Sequence, residues 1–289
     1  MTNLFRSLVF VPGNNSRFLE KAKSLSSDIV CFDLEDSVPE KEKQKARNLI
    51  SKKLKERKDF KSSVFVRTNS PQSGKIPNDL EKIIQKGLDG VVIPKVDSEN
   101  DLKKIEKLIS NLEKKRKTKK IRLIPSIESA LGVINCFEIA SASKRIDAII
   151  FGIFDLLNDM GIEYTKGNPI GAKYSRYKVP VAAAAAGIVA IDGIWQEIKD
   201  KKGLKQDCKL GKQLGYGGKS IIHPDQISVA HQIFYPNKSE IAWSKQVVSV
   251  YEKSTKKGTG ATVVDGKMID EVHYKRAKAL LELIKTWIN

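Results

Sequence analysis

Two carboxylates, Glu128 and Asp155, close short apolar runs in the middle of the chain, RLIPSIES at 122–129 and FGIFDL at 151–156. Runs of this length without polar alternation are typical of strands buried on both faces. A carboxylate at the tip of a buried strand is costly to desolvate unless a cation lies beside it. Two such tips on neighbouring strands would supply the oxygen ligands that a hard divalent cation such as Mg²⁺ prefers. Alternatively, both carboxylates cap the helices that follow, since acids are favoured at helix N-termini.

A second chemical feature is Arg67, which ends the apolar run SVFVR at 63–67. A guanidinium in this position could bind a carboxylate or a thioester oxygen through two hydrogen bonds. It could instead form a structural ion pair with the acids of FDLEDSV, which are Asp33, Glu35 and Asp36. Strand alternation would direct Asp33 and Glu35 to one side and Asp36 to the other. We expect one side to hold Arg67 or a metal-bound water, and the other to cap the next helix.

The segment GYGGKS at 215–220 is similar to a phosphate-binding loop but does not satisfy its pattern. The pattern needs glycine where Gln213 stands, and the segment precedes a strand instead of joining a strand to a helix. We therefore exclude a nucleotide hydrolase. His223 follows in IHP, and both packing at a strand end and ligand binding are open for it.

Eight apolar, β-rich runs alternate with helical patterns, which predicts an α/β fold that closes as a (β/α)8 TIM barrel. The runs are 7–11, 28–34, 63–67, 90–94, the two that end in carboxylates, 187–191 and 219–222. Active sites of this fold lie at the C-terminal ends of the strands. The informative side chains predicted at these ends are Pro12, Asp33, Glu35, Asp36, Arg67, Lys95, Glu128, Asp155, Asp192 and His223.

The end of the chain predicts an addition to this barrel. We expect a catalytic barrel domain over 1–235 and a C-terminal helical extension over 236–289. The extension has helical patterns at 239–254 and 270–288, joined by a loop rich in glycine and threonine. Because an eight-stranded barrel does not need it, we expect a lid that contacts a neighbouring subunit. Within the barrel, Pro180 is expected to kink or split a helix.

Composition limits the classes of function. The formal net charge is +18, which fits a polyanionic partner or a lysine-rich solvated surface. In the densest run, 103–120, apolar residues keep helical spacing and no aromatic residues interleave, so nucleic-acid binding is not favoured. No apolar run approaches the ~20 residues that span a bilayer. We therefore expect no membrane partner and a cytoplasmic location. The three cysteines form no zinc or disulfide pattern.

Several motifs occur together in an order that resembles the citrate lyase β-subunit family, which includes malyl-CoA and citramalyl-CoA lyases, within the HpcH/HpaI aldolase superfamily. They are RSLVFVPGNN, VCFDLEDSV, FVRTN, VVIPKV, IESALGVINCFEIA, GIFDLLNDMG, GKSIIHPDQI and VDGKMID. The resemblance implies a TIM barrel that assembles as a homotrimer or hexamer. It implies a lyase that uses Mg²⁺, or Mn²⁺, to cleave a β-hydroxyacyl-CoA of the citryl, malyl or citramalyl type into acetyl-CoA and an oxoacid, or to catalyse the reverse condensation.

The resemblance also implies roles for individual residues. It places the metal ligands at Glu128 and Asp155, and the substrate arginine at Arg67. It places the contact with the adenine of coenzyme A at 219–224, which includes Lys219, His223 and Pro224. It places an acid/base that reaches a neighbouring subunit's site at Asp270. Pro12, Asp33, Glu35, Asp36 and Lys95 are expected to bind substrate or cofactor at the same end of the barrel.

The sequence departs from the family pattern at three positions. Ile153 and Phe154 stand where small or acidic residues are common, and Pro180 stands in a helix that is usually continuous. These departures concern the loop after the sixth strand and therefore the substrate pocket. Three alternatives stay open: a β subunit of a multi-subunit citrate lyase that needs an acyl carrier, an oxoacid aldolase without coenzyme A, and a basic nucleic-acid-binding module.

Overall fold

Eight parallel strands close a barrel in the computed structural model, which describes residues 5–165, 169–256 and 258–288. Each strand pairs with the next in chain order, and β8 pairs with β1. The predicted (β/α)8 barrel is thus confirmed. The strands are β1 (Ser7–Pro12), β2 (Ile29–Asp33), β3 (Ser63–Arg67), β4 (Gly90–Ile93), β5 (Arg122–Ile127), β6 (Ala148–Phe151), β7 (Val189–Asp192) and β8 (Gly218–Ile221).

Helices follow the strands and cover the outside of the barrel. Those of the barrel unit are α1 (Ser16–Lys21), α2 (Lys43–Leu54), α3 (Ile76–Ile83), α4 (Glu99–Arg116), α5 (Ala130–Ile134), α6 (Cys136–Ser141), α7 (Ile153–Asp159), α8 (Lys173–Ala185), α9 (Lys201–Leu214) and α10 (Ile227–Phe234). Successive residues of each strand point to opposite faces of the sheet, so their apolar side chains form two layers. Leu8, Phe65 and Ile124 belong to the cluster inside the barrel, whereas Val9 and Val64 belong to the larger cluster that the helices share.

The sixth strand differs from its prediction. It ends at Phe151, and the segment from Ile153 to Asp159 is a helix, so FGIFDL is not a strand. Asp155 therefore lies in the first turn of α7 instead of at a strand tip. A carboxylate is favoured there by the helix dipole. Both Asp155 and a strand-end residue such as Glu128 nonetheless lie at the same end of the barrel, because α7 begins directly after β6.

Pro180 does not split its helix, so the split, one of the two outcomes predicted from sequence, is wrong. α8 continues from Lys173 to Ala185 with Pro180 inside it. Proline has no N–H to donate to the carbonyl four residues earlier, which belongs to Arg176. The hydroxyl of Tyr216 donates to this carbonyl at 2.9 Å. The lost helical hydrogen bond is thus replaced from the loop before β8, and the helix continues.

The chain divides into two compact units, one over 5–234 and one that begins at residue 235. The second unit contains α11 (Lys238–Lys256), β9 (Thr262–Val264), β10 (Lys267–Ile269) and α12 (Glu271–Ile288), which confirms the two predicted helices. The predicted loop between them contains an antiparallel hairpin instead. Asp265 and Gly266 both have positive φ, as a two-residue hairpin turn requires. Within the described residues, no helix combines the length and apolarity needed to cross a membrane.

Candidate active site

A cavity of about 450 Å³ opens at the C-terminal ends of the barrel strands, and we call it the mouth cavity. Its lining residues are Phe10, Pro12, Asp33, Asp36, Ser37, Arg67, Ser126, Glu128, Ile150, Gly152, Ile153, Phe154, Asp155, Ile194 and Ile222. The structure thus brings together six of the residues that the sequence predicted for this end: Pro12, Asp33, Asp36, Arg67, Glu128 and Asp155. Such positions are where barrel enzymes carry their chemistry.

Arg67 forms a two-oxygen ion pair with Asp33 of the neighbouring strand β2. Its Nε and Nη2 donate to the two oxygens of Asp33 at 2.6 and 2.7 Å, and its guanidinium lies 4.7 Å from the centre of the Phe10 ring. Its Nη1 lies 3.0 Å from Glu35 and 3.4 Å from Asp36. Burial acts to raise the pKa of Asp33, but the charge and hydrogen bonds of Arg67, with smaller hydrogen-bond contributions, lower it to about 2. The ion pair considered as an alternative for Arg67 therefore exists.

The three acids of FDLEDSV do not divide between two sides as strand alternation suggested. β2 ends at Asp33, and the backbone N–H groups of Glu35 and Ser37 turn back to donate to the Asp33 carboxylate at 2.9 and 3.0 Å. Alternation does not extend beyond the strand. As a result, Asp33, Glu35 and Asp36 all face the guanidinium of Arg67.

Lys95 connects the acids of this region. Its Nζ lies 2.8 Å from Glu35, 3.2 Å from Asp155 and 3.4 Å from Asp36. Its backbone N–H donates to Oε1 of Glu128 at 2.7 Å. Burial acts to lower the pKa of the Lys95 ammonium, but the neighbouring carboxylates, Glu35 above all, raise it above its ordinary value. Its backbone φ of 51° is a left-handed conformation that is uncommon for residues other than glycine. We therefore find Lys95 inside the ion network at the barrel end and not as a free cation.

Glu128 is a buried carboxyl group close to other acids. It follows β5 directly and is 5% exposed. Burial, followed by the charges of Glu35 and Asp155, raises its pKa to about 8. Burial likewise raises the pKa of Glu35 to about 7. A Cβ at Gly152 would lie 2.2 Å from Oε2 of Glu128, so only glycine admits the carboxylate in this position.

These oxygens are suitable ligands for a hard cation. Glu128 and Asp155 line one cavity, and burial together with the charges of Glu35 and Asp155 raises the pKa of Glu128, so a cation bound there would favour its ionised form. Among the described residues, no three or more Asp, Glu, His or Cys side chains form a group that could hold a metal ion. A pair of carboxylates completed by water and substrate is nevertheless a common arrangement for Mg²⁺.

A second cavity of about 260 Å³ lies beside β1 and the end of β8. It is mainly apolar, and its lining includes Pro12, Phe18, His223 and Pro224. Nδ1 of His223 accepts from the N–H of Asp225 at 3.2 Å, which caps the turn after β8. Three residues predicted to bind substrate or cofactor, Pro12, His223 and Pro224, are thus neighbours in this cavity.

Lys219 is not accessible to a ligand, which corrects its predicted contact with coenzyme A. It is 1% exposed, and its Nζ lies 2.9 Å from Asp192 and 2.5 Å from Asp207. Arg176 of α8 pairs with the same two acids at 2.5 and 2.8 Å. Sequence reasoning missed this cluster of two cations and two anions. A lysine inside an otherwise uncharged strand was the available signal, because a buried ammonium requires a carboxylate partner.

Asp270 lies in the second unit, between β10 and α12. Its Oδ1 accepts from the N–H groups of Val272 and His273 at 3.0 and 3.2 Å and lies 2.6 Å from Nδ1 of His273. The hydrogen bonds from His273, side-chain first, lower the pKa of this exposed carboxyl group. Asp270 is therefore ionised at neutral pH and caps a helix within its own unit.

Comparison with known proteins identifies the family. A model of the HpcH/HpaI aldolase/citrate lyase family matches residues 6–224. Citrate lyase subunit beta of Leuconostoc mesenteroides subsp. cremoris is 34% identical over 97% of this chain and 93% of that protein. The (3S)-malyl-CoA thioesterase of Cereibacter sphaeroides is 32% identical over 96% of this chain and 93% of that protein.

A solved structure agrees with these relatives. The citrate lyase beta subunit of M. tuberculosis, complexed with oxaloacetate and magnesium, is 25% identical, with a TM-score of 0.68 over 80% of this chain and 97% of that one. The resemblance inferred from the motifs is thereby confirmed: the chain belongs to the HpcH/HpaI aldolase/citrate lyase family.

Proposed function

We propose that this chain is a Mg²⁺-dependent carbon–carbon lyase that converts a β-hydroxyacyl-CoA into acetyl-CoA and an oxoacid, or catalyses the reverse condensation. The supporting observation is the mouth cavity, in which Glu128 and Asp155 lie together and burial, with the charges of Glu35 and Asp155, raises the pKa of Glu128 to about 8. A relative is named for a malyl-CoA substrate, and a related structure was solved with magnesium and an oxoacid. Both agree with the donors that the cavity presents.

Glu128 and Asp155 are the residues that would hold Mg²⁺, or Mn²⁺ in its place. When bound, the ion would polarise the substrate's hydroxyl and carboxylate oxygens and stabilise the keto product. Arg67 would stabilise the enolate oxygen of the departing acetyl thioester. Its pairing with Asp33 uses the Nε donor and one Nη2 donor, and Nη1 faces Glu35 and Asp36, so the second N–H of Nη2 is left for a ligand in the cavity.

The carboxylate of Asp270 would move the proton at the acetyl carbon. Its lowered pKa keeps it ionised, as a base in the condensation direction requires. We propose that a neighbouring copy of the chain supplies it, in a trimer or hexamer. Mixing two inactive variants, Glu128→Ala and Asp270→Ala, tests this directly. Recovery of activity on mixing requires sites built from two subunits, whereas no recovery would assign Asp270 to the site of its own subunit. Full activity of Asp270→Ala by itself would leave Asp270 only its role in capping α12.

The apolar cavity next to β1 is the proposed position for coenzyme A. Pro12, which lines both this cavity and the mouth cavity, places the two side by side. His223 and Pro224 border it, and Lys21 contributes a cation at its edge that could meet a phosphate. The acyl group of a thioester bound here would reach the mouth cavity while its nucleotide stayed outside.

The test is acetyl-CoA release from malyl-, citramalyl- and citryl-CoA, with Mg²⁺ and with EDTA. We expect cleavage of at least one ester with Mg²⁺ only, and its loss in Glu128→Ala and in Asp155→Ala. Glu138→Ala is the matched control, because Glu138 is an exposed carboxylate on the outer helix α6. Full metal-dependent turnover in both site variants would refute the assignment.

The citrate lyase subunit beta relatives favour a second candidate, a subunit that acts only on an acyl group carried by a partner protein. Cleavage of free CoA esters would exclude an obligate carrier. The malyl-CoA thioesterase relatives raise the further question of hydrolysis after cleavage. Release of free coenzyme A, measured by thiol titration in the same assay, distinguishes a lyase from an enzyme that also hydrolyses the thioester.

A further inference from the structure

The mouth cavity has two chemically different halves. One half carries charge: Asp33, Arg67 and Glu128 follow or end strands β2, β3 and β5, and Asp155 lies in the first turn of α7. The other half is apolar and comes from the last three strands and the segments that follow them. Its residues are Ile150, Ile153, Phe154, Ile194 and Ile222.

The charged half can accept one carboxylate of a substrate. Arg67 is the only cationic side chain among the described residues that line the mouth cavity, and Asp33 already occupies two of its donors. The ammonium of Lys95 is held by Glu35 and Asp155. One substrate carboxylate can bind next to the proposed cation and Arg67. A second carboxylate would have to lie against the apolar half, where no described side chain offers it a positive charge.

The apolar half is formed by packed side chains and can bury a small hydrocarbon group. Ile150 and Ile153 are 3% and 6% exposed, so most of each side chain is packed against the protein. The ring of Phe154 packs against that of Tyr164 with centroids 4.8 Å apart. A methyl group against these residues would gain from burial, whereas a hydrogen atom in its place would leave part of the cavity unfilled.

We infer that the acyl group cleaved by this protein has one carboxylate and an apolar branch on the hydroxyl-bearing carbon, as citramalyl-CoA has and malyl-CoA and citryl-CoA have not. This inference rests on the proposed lyase function. In the reaction, the bond between the hydroxyl-bearing carbon and the carbon next to the thioester breaks. Its electron pair stays on the thioester side, where a proton is taken up, and the hydroxyl loses its proton to become the ketone. The oxoacid product is a methyl-bearing monoacid, pyruvate, and no redox partner is needed.

Comparison of kcat/KM for the three esters tests the inference. We expect citramalyl-CoA to exceed malyl-CoA by about 10–200-fold, the discrimination that one methylene gives in an apolar pocket. Citryl-CoA should be the poorest substrate. Ile194→Lys adds a cation to the apolar half and should raise the citryl-to-citramalyl ratio at least tenfold. Ile194→Leu, which keeps the apolar character, should leave the ratio within about threefold of the wild-type value.

The outcomes separate this inference from the proposed function. Cleavage of citryl-CoA or malyl-CoA at least as well as citramalyl-CoA would overturn the inference and leave the lyase assignment intact. An unchanged ratio in Ile194→Lys would also contradict it. If no ester is cleaved, the lyase proposal fails, and the inference is then decided by calorimetry with Mg²⁺ present. Pyruvate must bind at least tenfold more tightly than oxaloacetate, and the reverse order refutes a monocarboxylate site.

Discussion

Removal of the ammonium of Lys219 should destabilise the barrel strongly without a direct effect on ligand binding. Lys219→Met keeps most of the side chain's volume and removes only its charge. Asp192 and Asp207, which lie 2.9 and 2.5 Å from the ammonium, would then share Arg176 as their cation. Breaking a buried ion pair by removing one partner costs about 3–5 kcal/mol. With about 2–4 °C per kcal/mol for a domain of this size, the melting temperature should fall by about 6–20 °C.

Thermal and urea unfolding, followed by circular dichroism, measure this loss. Lys205→Met is the matched control, because Lys205 is an exposed lysine on the same helix as Asp207, and it should change stability by less than about 0.5 kcal/mol. In Lys219→Met/Asp207→Asn the loss should be smaller than the sum of the single losses, because the two groups are coupled. A loss below about 1 kcal/mol, together with weakened binding of coenzyme A, would refute the buried-cluster interpretation. It would instead support the contact first expected for Lys219.

Three further predictions concern stability, metal binding and pH. Tyr216→Phe should cost about 1–3 kcal/mol in urea unfolding because it leaves a buried helix carbonyl unpaired, and Pro180→Ala should relieve part of this cost by restoring a helical N–H. Gly152→Ala should push Glu128 aside and weaken Mn²⁺ binding by about 10–100-fold, as measured by calorimetry or electron paramagnetic resonance; unchanged affinity would exclude Glu128 as a ligand. In EDTA, stability should fall as the pH rises from about 4.5 to 8, because the pKa values of Glu128 and Glu35 are raised from 4.5 to about 8 and 7 and the folded state therefore binds more protons than the unfolded chain; Glu128→Gln should reduce this slope.

Much of the barrel and part of its site could be predicted from sequence because both depend on local pattern. Apolar runs fix where strands end, and the fold fixes which end carries chemistry, so Arg67 and Glu128 could be placed without a structure. Asp155 was predicted at the correct end of the barrel, but at the tip of a strand instead of in the first turn of α7. Its run is too short for periodicity to separate a strand from a buried helix, and Gly152 was the available signal for a break. The Asp265-Gly266 pair was likewise a recognisable turn signal for the missed hairpin.

Features that depend on distant partners could not be predicted. Whether Lys219 is buried depends on Asp192 of the preceding strand, β7, and on Asp207 and Arg176 of two helices. The helix can continue through Pro180 because the hydroxyl of Tyr216 donates to the carbonyl of Arg176. In both cases the local sequence is compatible with two structures. A contact from elsewhere in the chain decides between them, because buried polar groups require partners.

Lys95 shows how the charged half of the mouth cavity keeps its shape before a cation or substrate binds. Carboxylates such as Glu35, Glu128 and Asp155 repel one another when they are brought together, so something must hold them in place. The left-handed backbone of Lys95 directs its N–H to Glu128, and its ammonium lies within 3.2 Å of both Glu35 and Asp155. Strained backbone of this kind persists where the surrounding structure overdetermines it. One residue thus positions both proposed metal ligands, the first through its main chain and the second through its charge. Glycine at this position would keep the first contact and lose the second, so Lys95→Gly separates the contribution of the backbone from that of the ammonium.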